Sequence, residues 1–184
     1  MQGRVWVTRR IDERHCPDCI RSVYRSGHFS VMIWGAIGWD YKSPLVFLEK
    51  EPGAKGITSK AYLNQVLEPV IFPLFDSLGP EYIYMEDGSG VHKKFARLAW
   101  LQHSVHGFDW PPSSPDLNPI KHIWRYMKEE LKKLPFPVLN KAELKVEIQR
   151  IWDSLTPEHW RYYITRETCI IEDVIKAKGG PTTN

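Results

Sequence analysis

Along the chain, β-rich apolar runs give way to stripes at helical spacing in a definite order. Residues 4–10 (R-V-W-V-T-R-R) have the composition of a short strand, and residues 11–27 are polar and irregular. Phe29 to Trp39 and Pro44 to Glu49 are β-rich runs around a D-Y-K-S turn, the pattern of an antiparallel hairpin. From Thr58 to Leu78, Tyr62, Leu63, Val66, Leu67, Val70, Ile71, Leu74 and Phe75 recur at helical spacing, and Pro69 and Pro73 predict a kink or a split. Glu81 to Asp87 reads as a short strand ending in two acids, His92 to His103 as an amphipathic helix, and Ser104 to Trp110 as a further extended segment.

The stretch Trp110 to Lys128 joins a strand end, a proline-stiffened turn and a helix start. Asn118 is a good N-cap, Pro119 sits where the first helical turn tolerates a missing N–H, and Ile120, Ile123, Trp124 and Met127 make a stripe running to about Lys133. After the loop L-P-F-P-V-L, Asn140-x-x-Glu143 resembles a capping box ahead of Leu144, Ile148, Ile151 and Leu155. Thr156-Pro157-Glu158 opens a last helix with Trp160, Ile164, Ile171 and Val174 inward, ended by Gly179-Gly180. Hairpin, helix, strand, helix, strand and three helices predict an α/β fold, a mixed sheet with helices packed on it.

Composition narrows the class without naming a function. With 184 residues, 42% hydrophobic and 26% charged, the chain is long enough for one domain with a real core and is not of disordered composition. A net charge of +3 is too small to establish a nucleic-acid partner, though it favours a polyanion over a basic one. No apolar run is long enough to span a bilayer, so no membrane partner is expected, and the N-terminus lacks the apolar segment of a signal peptide. Three cysteines cannot all pair and fit a reducing compartment.

Few residues stand out as candidate chemistry. Asp87 closes a strand beside a glycine-bearing loop and a following helix, where open α/β sheets place ligands and catalytic groups; a turn-forming acid before glycine is the competing reading. Glu86 should point to the opposite face, and Asp116 suits an Asx turn in S-P-D-L-N-P. Basic residues cluster: Arg9, Arg10 and Arg14; then Lys93, Lys94 and Arg97; then Lys121, His122, Arg125, Lys128, Lys132 and Lys133 on the helix after Asn118. Such sets bind phosphate backbones, and a solvated helix face explains each group equally well. His15-Cys16-Pro17-Asp18-Cys19, even with His28, lacks the second pair a zinc site needs and reads as a polar turn with two thiols.

The succession V-M-I-W-G-A-I, P-L-V-F-L-E, Y-I-Y-M-E-D-G…H, D-W-P-P-S-S-P-D-L-N-P-I-x-x-I-W and V-I-K-A-K-G-G-x-T closely resembles the catalytic domain of Tc/mariner-type DNA transposases, from about Arg4 to Thr182. The resemblance implies a ribonuclease H-like fold and three carboxylates, two Asp and a final Asp or Glu, that hold Mg2+ or Mn2+ ions for DNA strand cleavage and transfer. It implies DNA as partner, the nucleus as location, and a homo-oligomer as an assembly to test for. By position, Asp87 matches the second carboxylate, and His92 the histidine that commonly follows it, with Ser89-Gly90 between them in place of the usual A-P or similar pair.

Two departures from the family pattern set the functional expectation. The family's first aspartate lies in a strand upstream of R-V-W, and no residue here matches it; the expected product is an N-terminally incomplete single domain over 1–184, with 135–184 its C-terminal helical part and the central Asp-bearing strand missing or replaced. The third carboxylate should directly follow N-P-I, and that position is Lys121. Glu129 lies roughly 12 Å farther along the helix, too far to share a metal, and Glu130 is farther still. An ammonium at 121 should repel divalent ions and attract Asp87 or a phosphate. The expectation is therefore a transposase domain by descent that does not cleave DNA, set against a non-catalytic nucleic-acid-binding module with Lys93, Lys94, Arg97, Lys121, His122, Arg125 and Lys128 as contacts, or a domesticated protein-interaction module.

Overall fold

The hairpin organises the fold because a hydrophobic core packs against each of its faces. In the computed structural model, β1 (Met32–Trp34) pairs antiparallel with β2 (Val46–Leu48) in the register Met32↔Leu48, Ile33↔Phe47 and Trp34↔Val46. Side chains alternate across a strand. Ile33 and Phe47 accordingly pack into a core with Ile123, Met127, Ile148, Ile151, Trp152 and Trp160, whereas Trp34, Val46 and Leu48 pack into a second with Tyr62, Val66, Leu67, Ile71 and Tyr84. Helices on both faces explain why the strands read as nearly continuous apolar runs. The structure describes residues 30–78, 81–87, 89–92, 100, 103, 105–107 and 118–177, and all beyond Ser30 lie in one unit, Val31–Asn184.

The hairpin's tip is not D-Y-K-S. The chain reverses at Trp39-Asp40, where Gly38 N–H donates to the Tyr41 carbonyl at 2.8 Å, and Lys42 already pairs with Ile37. One extra residue on the returning arm shifts the register between that bridge and the ladder. There the Ser43 hydroxyl links the two arms, accepting from Ala36 N–H at 2.8 Å and donating to the Pro44 carbonyl at 2.8 Å. At Gly35 a side chain would collide with the core: an added Cβ would lie 2.8 Å from Trp152 and 3.1 Å from Trp124.

The proline-containing stretch stays helical without a break. α1 (Ser59–Tyr62) runs into a π-helical segment (Leu63–Ile71), which runs into α2 (Phe72–Ser77). Pro69 lacks the N–H that an α-helix would direct four residues back, and its ring crowds that carbonyl. Widening the turn answers both problems, as in the bond from Phe72 N–H to the Leu67 carbonyl. Pro73 falls in the first turn of α2, and because that turn continues the π segment it too has no N–H to give to the preceding turn. Thr58 caps α1, its hydroxyl accepting from Ala61 N–H at 3.0 Å and donating to Glu51 at 2.9 Å.

Among the described residues, the segment read as a strand over Glu81–Asp87 forms one parallel bridge, Tyr84↔Gly107, with Tyr84 N–H donating to the His106 carbonyl at 2.7 Å. Antiparallel hairpin and parallel bridge together make the pairing mixed. Then follow α3 (Pro119–Lys132), α4 (Lys141–Ser154) and α5 (Glu158–Lys176). Asn118 caps α3 through a bond from Ile120 N–H at 3.3 Å. Asn140 caps α4, accepting from Glu143 N–H at 2.9 Å, while the Glu143 carboxylate reaches back to Leu139 N–H at 2.8 Å, one residue earlier than in a standard capping box. Lys42 closes the other end of α4, donating to the carbonyls of Trp152, Asp153 and Leu155 at 2.7, 3.2 and 2.8 Å, where a cation also suits the helix dipole.

α3 and α5 lie antiparallel, shown by the ring pairs His122–Tyr163 and Tyr126–His159. On α5, Trp160 is buried as expected, but Ile171 is 43% exposed. The expected strand over 4–10, the C-x-x-C segment, Arg9, Arg10, Arg14, Lys93, Lys94, Arg97, Asp116 and Gly179-Gly180 lie outside the described residues. Among those described, no helix is long and apolar enough to cross a membrane.

Candidate functional site

Three short elements bring the candidate residues together. Tyr84 anchors the extended segment 82–87 in the core, so Glu86 and Asp87 emerge at its end. A 3-10 turn (Gly90–His92) then folds the chain back, tied to α1 by a bond from the Ser59 hydroxyl to the Val91 carbonyl at 2.6 Å. The first turn of α3 arrives from the far side, and Lys121 Nζ meets Asp87 Oδ2 at 2.6 Å. The side chains of this pair are 38% and 30% exposed.

Glu86 faces inward, as strand alternation predicts. Its Oε2 accepts from the Tyr62 hydroxyl at 2.9 Å, and the Tyr62 and Tyr84 hydroxyls lie 2.8 Å apart. Burial, reinforced by the neighbouring acid, pushes both phenols far above their ordinary range, so they remain neutral donors. The turn places His92 within reach of both acids: Nδ1 is 3.3 Å from Asp87 Oδ1 and 3.7 Å from Glu86 Oε2. Nδ1 also lies 2.9 Å from the Asp87 carbonyl, which can only accept, so this nitrogen carries the proton. Sequence reading assigned Tyr62 to the apolar stripe of its helix, because only tertiary contact shows what its hydroxyl touches.

The electrostatics make Asp87 a paired anion and His92 a neutral base. Burial alone would raise the Asp87 carboxyl. The Lys121 hydrogen bond and charge, with Ser89 N–H, outweigh that and hold it below its ordinary value. Burial pulls His92 below its ordinary value against the opposing influence of the Asp87 carbonyl and carboxylate. On α3, burial and then the charges of Arg166 and Arg125 lower His122 in the same sense. Each histidine therefore binds fewer protons folded than unfolded, so its contribution to stability is complete above 6.5 and is lost as pH falls through the depressed folded value. Asp87, depressed from 3.8, contributes above that pH and loses its contribution as pH falls through its folded pKa. The melting temperature should thus decline in two stages on acidification, and His92→Gln should weaken the first. A melting temperature unchanged as pH falls below 6.5 would contradict this assignment.

The remaining candidates are distributed unevenly. His122, Arg125 and Lys128 lie on α3 away from Asp87, and the His122 ring stacks on Tyr163 with centroids 4.4 Å apart and planes 1° apart. Lys132 and Lys133 are held by Glu129 and Glu130 at 2.7 and 2.5 Å, so those acids serve the helix surface. Among the described residues, no group of three His, Cys, Asp or Glu side chains is placed to hold a metal ion. Beside Asp87 stands the Lys121 ammonium, a cation rather than a further oxygen donor of the kind Mg2+ or Mn2+ takes.

Residues 6–144 match the family model described as DDE superfamily endonuclease. The chain belongs to this family. Within it, the chain is similar to Tc/mariner transposases: 28% identical over 131 residues to the Tc1 transposase of Caenorhabditis elegans, covering 70% of this chain and 46% of that protein. It is 26% identical over 182 residues to the Tcb1 transposase of Caenorhabditis briggsae, covering 98% of this chain and 64% of that one. The chain thus spans about half to two thirds of the length of these relatives. Its fold is that of the Mos1 transposase catalytic domain, whose structure with Raltegravir and Mg superposes with a TM-score of 0.65 at 17% identity, over 83% of this chain and 77% of that one. In this DDE-family domain the ribonuclease H-like frame is present, and the residue after Asn118-Pro119-Ile120 is a lysine.

Proposed function

We propose that this DDE-family domain binds DNA without cleaving it, Lys121 acting as a built-in cation where a metal-dependent relative would bind a divalent ion. The observation that carries this reading is the 2.6 Å contact between Lys121 Nζ and Asp87 Oδ2. A dication drawn to Asp87 would stand within about 4 Å of the ammonium and be repelled by about 8 kcal/mol at an effective dielectric constant of about 20. The carboxylate is neutralised by a group that cannot activate water or stabilise a leaving oxygen. Lys121 retains two further N–H donors for a phosphate. His122, Arg125 and Lys128 continue the basic face of α3, with Lys93, Lys94 and Arg97 as further contacts proposed from sequence.

The test is a strand-cleavage assay on labelled duplex DNA with Mg2+ or Mn2+, run beside a binding titration at increasing salt. The expected result is binding that weakens as salt rises, with no metal-dependent product. Metal-dependent cleavage abolished by Asp87→Asn would overturn the proposal, as would binding indifferent to salt.

A further inference from the structure

The lysines and arginines of α3, α4 and α5 divide into two groups. Most are spoken for by a carboxylate: Lys121 by Asp87, Lys132 by Glu129, Lys141 and Lys145 by Glu49, Arg150 by Glu147, Arg161 by Asp40, and Lys176 by Glu172 and Asp173. Among the described residues, Arg125, Lys128 and Arg166 have no such ion pair. Arg125 and Lys128 are three residues apart on one face of α3, so their side chains are neighbours. Arg166 belongs to α5, and the antiparallel packing sets where it falls. With Tyr163 against His122 and His159 against Tyr126, Arg166 stands one turn beyond Tyr163, level with the first turn of α3. Guanidiniums from two helices thereby converge on the His122 ring, which Tyr163 holds by stacking.

We infer that the ridge formed by α3 and α5 is a docking surface for the phosphodiester backbone of duplex DNA, with Arg166 of α5 as a phosphate contact alongside Arg125 and Lys128. The inference rests on the DNA-binding reading of α3 and extends it to a second helix. From the level of Arg166 to Lys128 the ridge rises about 13 Å along α3. At one negative charge per about 1.7 Å of duplex axis, that length meets several phosphates. Three neighbouring cations with no ion pair to a carboxylate among the described residues repel one another, which a polyanion relieves. Glu129, the acid one turn from Arg125, is held by Lys132 at 2.7 Å and acts on Arg125 only through space, without a direct ion pair. Arg166 is exposed, and nothing in the local sequence distinguishes it from a solvated cation.

The experiment measures binding of the full chain to a short labelled duplex of arbitrary sequence across a salt series, for the wild type, Arg166→Gln, Arg166→Lys, Arg125→Gln and Lys176→Gln. Melting temperatures confirm that each variant is folded. Arg166→Gln and Arg125→Gln should each weaken binding severalfold at low salt and reduce the salt slope by about 0.9, the value for one phosphate contact. Arg166→Lys should keep most of the slope, and Lys176→Gln should match the wild type. If Arg125→Gln loses affinity while Arg166→Gln does not, the DNA follows α3 alone and the inference fails with the DNA-binding reading intact. Equal losses from Lys176→Gln and Arg166→Gln would reduce the effect to net charge and also overturn it. A wild type that does not bind, or binds without salt dependence, removes both readings.

Discussion

Lys121→Glu should give a protein whose melting temperature rises with added Mg2+ or Mn2+, where no such rise is expected of the wild type. The geometry behind this is one of length. The Lys121 ammonium lies 2.6 Å from Asp87 Oδ2 and is the last atom of its side chain. A glutamate is one atom shorter, so its oxygen falls near the present Cε and leaves a space between two carboxylates. An ion coordinated at about 2.1 Å on each side spans such a space. Without metal the two anions repel, and the lost ion pair costs about 1 kcal/mol or less, since both partners are partly exposed. With metal the repulsion becomes attraction, and stability rises with ion concentration. Thermal melts of both proteins with and without Mn2+ decide the matter. A variant unmoved by Mn2+, or a wild type that shifts equally, would refute the built-in-cation account of Lys121.

Trp152→Ala should be the most damaging single substitution to the fold, at about 3–5 kcal/mol. The ring is 1% exposed, stacks on Trp124 with centroids 5.4 Å apart, and lies against Gly35. Its indole N–H donates to the Ser43 carbonyl at 3.0 Å, and the Lys42 ammonium sits 5.8 Å above it. Truncation therefore opens a cavity, orphans a buried carbonyl and loosens the attachment of α4 to the hairpin. Chemical denaturation measures the loss; a cost below about 1 kcal/mol, the level of a tolerated surface change, would contradict this packing.

Local rules were sufficient wherever a residue acts on its own neighbours. Asn118 and Asn140 cap helices by bonding the next turn, and the Ile123 and Ile148 stripes follow from helical period. The block around Asn118-Pro119-Ile120 was legible for the same reason, and with it the family. At Pro69 the conflict with the α-helix is legible in the sequence, but a kink, a split or a widened turn would each resolve it, and the chain takes the π turn. Ile171 follows the helical period yet is 43% exposed, because a stripe does not show what packs against it.

The sequence by itself determined the ancestry, the order of the elements and the presence of a cation after Asn118-Pro119-Ile120, because these depend on residue type and short spacing. Only the tertiary structure decided what that cation does. Lys121 and Asp87 lie 34 positions apart, and no local pattern shows whether such groups meet in an ion pair or turn to solvent. The same holds for the inward partners of Glu86 and for Arg166 beside His122. Electrostatic energy falls with distance in space, and the folded chain alone sets that distance.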